Sequence, residues 1–497
     1  LLDCVANHTR CNSRVTSFLP TRVLDLAAYG DSDGPSLDVV LRETFDIANG
    51  PSSRYVALSH CWGDLVPGCQ TTAETIHERK TRISWESLHR TFQDAAAFTR
   101  RLGLRYLWID MMCIIQGSDD DWLRESATMS DVYGSVYLTL AADHAQDGKL
   151  RALCADSSSY SPSLNARTWF LHIFDFDGIN YKESQAWLAR RPGQVLPLLT
   201  RAWAYQERMI SPRVLHFTHD EPAWECAETS DCECGRLNQG FLDHCNITKH
   251  SIRNATPDLW ARIVQEYSAL NLTLDRDKLP ALSAIARGFK KHYHPRGHYL
   301  AGLWSEHLAR HLIWSVHFPF QTGVPRSWLR HRPRPQSWCT PTWSWVPVNA
   351  EVMWIIKGSD VASLITINSA KCEYEDDRSP FGAVTGGEIG VQGRCLTARI
   401  SVDQHRYIPV PGFVICSEEM KSILFLPDID LGPLSEFGRP VDWVSNECLL
   451  LAGCLSDPRT DFRNRSVLIC ICLRPAGNGG MQGLVPLAAL WTPTTKL

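Results

Sequence analysis

Three groups of side chains in this chain have the types and spacing for chemistry. The first follows an apolar run: Tyr55-Val56-Ala57-Leu58 leads directly into Ser59-His60-Cys61-Trp62-Gly63. A hydroxyl, an imidazole and a thiol at the end of one strand suit acid–base or nucleophilic catalysis. His60 and Cys61 are neighbours on a strand and point to opposite faces, so they cannot form a dyad together. Cys61 with a distant His stays open, beside the plainer reading of a buried thiol. The second group is acidic. Asp110 ends the apolar run from Tyr106, and Glu125 sits in the first turns of a helix that follows Asp119-Asp120-Asp121. Glu125, like His60, has the chemistry for an acid–base role; the competing reading of Glu125 is an acid favoured there by the helix dipole. Asp110 requires a cationic partner if buried, and Arg201 or Arg105 fits that need. Arg201, Trp203, Gln206 and Glu207 either line the same crevice or latch their helix to the sheet. Trp62 and Trp122 offer flat faces on which a base can stack. The third group is soft: Cys4-x3-His8-x2-Cys11, and a second cluster of Cys226, Cys232, Cys234, His244 and Cys245. Neither has a standard finger spacing, although the two could combine. The expectation is that no metal is required; a structural zinc, if held, has Cys4, His8, Cys11, Cys232 and Cys234 as candidate ligands.

These groups need elements to hold them. Tyr55–His60 predicts a strand. Leu88, Phe92, Ala95, Ala96, Thr99 and Leu102 keep a helical period closed by Gly103. Tyr106–Ile114 predicts a buried parallel strand, Trp122–Tyr133 a helix and Val136–Ala142 another strand. That order makes a right-handed α/β unit over a parallel sheet, in which ligands sit beyond the carboxyl ends of the strands. Ser59 to Gly63 and Glu125 would share that edge. A helix at Trp203–Ile210 and strands at Arg213–Phe217 and Trp224–Cys226 follow. Three apolar stripes, Leu259–Tyr267, Leu279–Phe289 and Leu300–Leu312, predict helices, and after a Pro/Arg-rich linker the chain turns to short strands, among them Ile389–Val402. The expected divisions are an N-terminal lead segment at 1–53, the α/β core at 54–226, a helical region at 227–340 and a β-rich unit at 341–497.

Composition excludes several functions. Lys+Arg number 50 against 54 Asp+Glu, a net charge of −4 over 497 residues, which disfavours a nucleic-acid binder. The basic stretch Arg326–Arg334 reads as a solvated linker, and Gly477-x-Gly479-Gly480 as a turn. The 18 Cys lie scattered on apolar runs, as buried thiols of a reducing compartment do. No apolar run is long enough for a membrane span, and the expected location is cytoplasmic. Because the sequence begins at Leu1, a leader ahead of it stays open. The 18 Trp are about three times the usual share and predict Trp-anchored packing.

The blocks Tyr55–Gly63, Tyr106–Asp110 with Cys113-Ile114-Ile115-Gln116, Asp121-Trp122 with Glu125-Ser126, and Leu199–Trp203 with Gln206-Glu207 closely resemble the fungal heterokaryon-incompatibility (HET) domain. Trp224-Glu225-Cys226, Asp277–Leu282, Gly302-Leu303-Trp304 and Pro341–Trp345 continue the resemblance. Ala202 stands where that family usually has Gly, and Met111-Met112 where a smaller residue is common. The resemblance implies a fungal effector of nonself recognition linked to growth arrest or programmed cell death. It also implies a TIR-like, Rossmann-like core, since the HET core is similar to Toll/interleukin-receptor domains, some of which cleave NAD at the nicotinamide–ribose bond through a helix-borne Glu. By that analogy Glu125 would stabilise a cationic ribose, NAD would be substrate rather than cofactor, and Ser59, Cys61, Trp62, Gly63, Asp110, Trp122, Arg201, Trp203, Gln206 and Glu207 would bind it. Protein partners or self-association are expected, and neither nucleic acid nor membrane. Two other readings stand beside this one: a non-enzymatic docking module, and an enzyme of specialised metabolism acting on a small organic substrate.

Overall fold

The computed structural model describes residues 1–12, 18–28, 37–47, 54–62, 68–143, 197–217, 222–232, 249, 256–293, 297–316, 340–354, 361–376 and 379–393, and the backbone of strands between 395 and 490. Two compact units divide the chain at Ile252 and Arg253.

The first unit is built on an eight-stranded sheet. Its strands are β1 (Arg22–Asp25), β2 (Val40–Glu43), β3 (Tyr55–Ser59), β4 (Tyr106–Ile109), β5 (Leu138–Ala141), β6 (Arg213–Phe217), β7 (Pro222–Cys226) and β8 (Ser230–Cys232), in the order β2-β1-β4-β3-β5-β6-β7-β8. The four central strands β4-β3-β5-β6 are parallel, with Val56 beside Leu107 and Leu138, and Leu58 beside Ile109 and Leu140. Every residue of β3, β4 and β5 is buried, as expected for parallel strands covered on both faces. Antiparallel strands flank this core: β1 and β2 on one side, β7 and β8 on the other. The sheet thus recruits residues on both sides of 54–226.

After α1 (Leu2–Asn7), α2 (Thr9–Asn12) and α3 (Ile76–Thr81), helix α4 (Arg90–Arg101) leads into β4 and buries Phe92, Ala95, Ala96 and Thr99. It ends where Gly103 takes φ +69°, a conformation that disfavours side chains with a Cβ. Helix α6 (Asp119–Ser135) connects β4 to β5; Ser118 caps it by accepting from the Asp121 amide at 3.3 Å. Its buried face carries Asp121 and Glu125 as well as Met129, Val132 and Tyr133. Between β4 and α6 the expected strand Tyr106–Ile114 is cut short. It stops at Ile109, and α5 (Asp110–Cys113) begins with the Asp110 carboxylate accepting from the Met111 amide at 2.7 Å. A continuous apolar run has no period, so it could not separate strand from buried helical turn.

The second unit opens with helices at Pro257–Ser268 and Pro280–Tyr293, as the first two stripes predict. The third stripe does not form a long helix. Tyr299–Leu300 and Leu303–Trp304 pair antiparallel around a turn at Ala301 (φ 44°) and Gly302 (φ 93°), and only Leu308–His311 is helical. The carbonyl of Gly302 accepts from two indoles, Trp260 Nε1 at 3.0 Å and Trp345 Nε1 at 3.1 Å. Phe289 and Trp304 complete a buried aromatic cluster around Trp260. Further on, Thr366–Tyr374 pairs with Val384–Gln392. An antiparallel sheet follows, in the order Ile423–Phe425, Gly412–Cys416, Cys395–Asp403, Glu447–Ser456, Val467–Pro475, Met481–Leu490. The single strand expected across Ile389–Val402 is two strands. Among the described residues no helix is long and apolar enough to cross a membrane.

Candidate functional site

The chain leaves β3 to form β4 on one side, then crosses back to form β5 on the other and continues to β6. The carboxyl ends of β3 and β5 therefore bound the point where the sheet changes direction, the usual place for a ligand crevice in an open α/β sheet. Ser59 and His60 end β3, Asp110 follows β4 and Asp143 follows β5. Helix α7 (Ala202–Ile210) brings Arg201 and Glu207 to the same end.

The hydrogen bonds knit these segments together. Ser59 Oγ donates to Glu207 Oε2. Arg201 Nη1 donates to the His60 carbonyl at 2.7 Å. Trp62 Nε1 donates to Asp110 Oδ2 at 2.8 Å, and His60 Nδ1 lies 3.7 Å from Asp110 Oδ1. Trp122 and Trp203 meet edge to face at 5.9 Å. Cys61, Trp62, Asp110, Trp122, Arg201, Trp203 and Glu207 all keep partial solvent exposure, whereas Ser59, His60 and Gln206 are buried. Gly63 lies outside the described residues.

Electrostatics single out Glu207. Burial, reinforced by the nearby charge of Asp110, raises its carboxyl to about 7, against the pull of the Ser59 hydroxyl and the Arg201 guanidinium. An acid in this range exchanges a proton near neutrality. Burial pushes the Cys61 thiol up despite Arg201, which holds it as the less nucleophilic thiol. The His60 ring is driven toward its neutral form by burial. Neither of its nitrogens has a hydrogen-bond partner among the described residues, and the ring of Phe92 packs edge-on at 5.2 Å.

Glu125 is not where a sugar could meet it. It is 3% exposed, and its Oε1 is 3.5 Å from Arg22 Nη2 and 3.6 Å from Arg124 Nε. Arg22 also bonds Asp121 at 2.5 Å and the Cys113 carbonyl at 2.6 Å. The two acids on the buried face of α6 thus clasp the guanidinium of β1, an arrangement that fastens helix to sheet. Nothing near Arg22 in sequence names its partners, which lie about a hundred positions along the chain. Arg105 is likewise not the partner of Asp110: it pairs with Asp25 at 2.7 Å.

The soft ligands are brought together in a different set from the expected one. Cys4, His8 and Cys11 converge with Cys226. Cys232 is buried but is not one of the four, and Cys234 lies outside the described residues.

No curated protein and no solved structure matches the chain. A family model does: that of the heterokaryon incompatibility protein (HET) matches residues 55–207. That span starts at the first residue of β3 and ends on Glu207, so it contains the whole side-chain cluster at the ends of β3 and β5. The match over residues 55–207 is thus to the HET domain, the domain linked to heterokaryon incompatibility.

Proposed function

We propose that the chain is an effector of fungal nonself recognition whose working centre is the crevice at the ends of β3 and β5, with Glu207 rather than Glu125 as the reacting carboxylate. The observation that carries this reading is the partly exposed Glu207, raised to about 7 and hydrogen-bonded to Ser59 at the point where the sheet changes direction. The substrate class is a nucleotide with a cationic base, NAD being the simplest. The C1′–N bond breaks and nicotinamide leaves as a neutral base with the bonding pair. The ionised Glu207 stabilises the resulting oxocarbenium ion, then takes the proton from the water that adds to C1′. Arg201 supplies a cation for phosphate, and the exposed edges of Trp62, Trp122 and Trp203 a surface for the base.

The test is to incubate the concentrated full chain with NAD and to follow nicotinamide by chromatography. The expected result is release by the wild type, a loss of about a hundredfold or more in Glu207→Gln, and retention in Glu125→Gln. No release from the wild type, or undiminished release from Glu207→Gln, rejects the hydrolase. One observation favours a second reading, a docking module without chemistry: the contacts of Ser59 with Glu207 and of Arg201 with the His60 carbonyl point inward and latch α7 to the sheet. Under that reading, growth arrest in a host expressing the chain persists in a folded Glu207→Gln variant.

A further inference from the structure

Away from the crevice, the first twelve residues and the β6–β7 hairpin meet at a second cluster. One donor atom each from Cys4, His8, Cys11 and Cys226 lies within 4.8 Å of all the others. His8 presents Nδ1, which is 3.4 Å from Cys226 Sγ and 4.0 Å from Cys11 Sγ. Around one zinc ion with bonds of about 2.3 Å to sulfur and about 2.0–2.1 Å to nitrogen, tetrahedral geometry separates sulfur from nitrogen by about 3.6 Å and sulfur from sulfur by about 3.8 Å. The three thiols are at most 4% exposed, so the site is closed to solvent on the side of the protein. We propose that Cys4, His8, Cys11 and Cys226 hold one structural zinc ion that ties the N-terminal segment to the edge of the sheet.

The surroundings fit such a site. Three thiolates and a neutral imidazole around a dication leave a net charge of −1. The buried Arg213 guanidinium answers it, with Nε donating to Cys4 Sγ at 3.3 Å. The Thr229 amide donates to Cys226 Sγ at 3.3 Å, as backbone amides do around zinc-bound thiolates. The other nitrogen of His8 lies 4.0 Å from the exposed Asp3 carboxylate, beyond hydrogen-bond reach, and it is Nδ1 that faces the thiols. A disulfide would use two of the three thiols and leave the third with the imidazole unexplained; zinc uses all four. The segment also needs an anchor. Its helices, Leu2–Asn7 and Thr9–Asn12, are 6 and 4 residues long, far below what holds together alone in water. Four donors spread over more than two hundred residues then act as a cross-link between the start of the chain and β7. The spacing Cys4-x3-His8-x2-Cys11 and a second cluster containing Cys226 were both visible in the sequence; which member of the second cluster joins the first was not.

The experiment is elemental analysis of the full chain, purified without chelator or metal-affinity resin from zinc-supplemented cells. The expected result is one zinc per chain, replaceable by cobalt(II) with thiolate charge-transfer and tetrahedral ligand-field bands. Cys11→Ser and His8→Ala are expected to lower zinc content at least about tenfold. If either variant folds poorly by circular dichroism, His8→Cys decides: it keeps four donors, and is expected to retain zinc while moving the cobalt bands to those of a four-thiolate site. A wild type that carries no zinc and takes up no cobalt overturns the site. So does iron–sulfur absorption in the purified protein, or a disulfide among these cysteines mapped after alkylation without reductant in protein purified anaerobically. Full zinc content in His8→Ala removes His8 from the ligand set and overturns the proposal as stated.

Discussion

Glu207 ionises near neutrality in the folded chain and near 4.5 when unfolded, and this difference has a sign. Between those pH values the native state holds a proton that the unfolded state has lost. Its contribution to stability is therefore present at about pH 4.5 and below, and drains away as pH rises toward about 7. Glu207→Gln keeps the shape and cannot ionise. The variant is expected to gain on the wild type between pH 5 and pH 8 by on the order of 1–3 kcal/mol, read from urea unfolding at both pH values. Equal slopes in the two proteins would mean that Glu207 is solvated like an ordinary surface acid. Glu125 calls for a different experiment, because its role is set by Arg22. Replacing Arg22 with Met leaves the buried Asp121 and Glu125 only the exposed Arg124 as a cation and is expected to cost about 3 kcal/mol, whereas Glu125→Gln, which leaves Arg22 its bond to Asp121, is expected to cost less than about 1 kcal/mol. If both changes cost the same, the acid at 125 matters in its own right and its place in the chemistry reopens.

At the level of elements, the parallel core was legible because each piece carries its own period and punctuation: the apolar run of β3, the stripe of α4 closed by Gly103, and the acidic first turn of α6. What the chain did not disclose in sequence are contacts between distant residues. Ser59 and Glu207 are 148 positions apart, and Arg22 and Glu125 lie on elements joined by the whole β2–β4 excursion. Local patterns also misled where apolar residues ran without interruption. Leu300, Leu303, Trp304 and Leu308 keep a helical period, yet the chain turns at Ala301 and Gly302 so that one carbonyl can take two indoles. That turn rests on glycine for two reasons. Its φ of +93° disfavours any Cβ, and a Cβ there would sit 2.6 Å from Trp345 Nε1. Gly302→Ala is accordingly expected to cost about 2–3 kcal/mol and to redshift the fluorescence of the second unit as the indole cluster loosens. An unchanged melting temperature would show that the Trp260 and Trp345 bonds to this carbonyl are dispensable.

For the whole molecule, the two units carry buried titrating groups of opposite sense, and this makes their separateness measurable. Glu207 in the first unit costs stability as pH rises. His311 in the second behaves the other way. It is 2% exposed, neither ring nitrogen has a hydrogen-bond partner among the described residues, and burial, with the nearby His307 and Arg310, pushes its ring down to about 3. The unfolded chain takes up that proton near 6.5, so stability from a neutral His311 is complete above that value and is lost as pH falls through the window toward about 3. At about pH 5 the loss amounts to about 2 kcal/mol. Acidification from about pH 7 to about pH 5 is therefore expected to raise hydrogen-exchange protection, corrected for intrinsic rates, around α7, while at the end of β3 the buried neutral His60 opposes that gain. Over the same interval it should lower protection around Leu308–His311 and the strand Trp314–Val316. His311→Phe should flatten the response of the second unit and leave that of the first untouched. Protection that moved together in both units would mean that they unfold as one body, with the two titrations summed into a single transition.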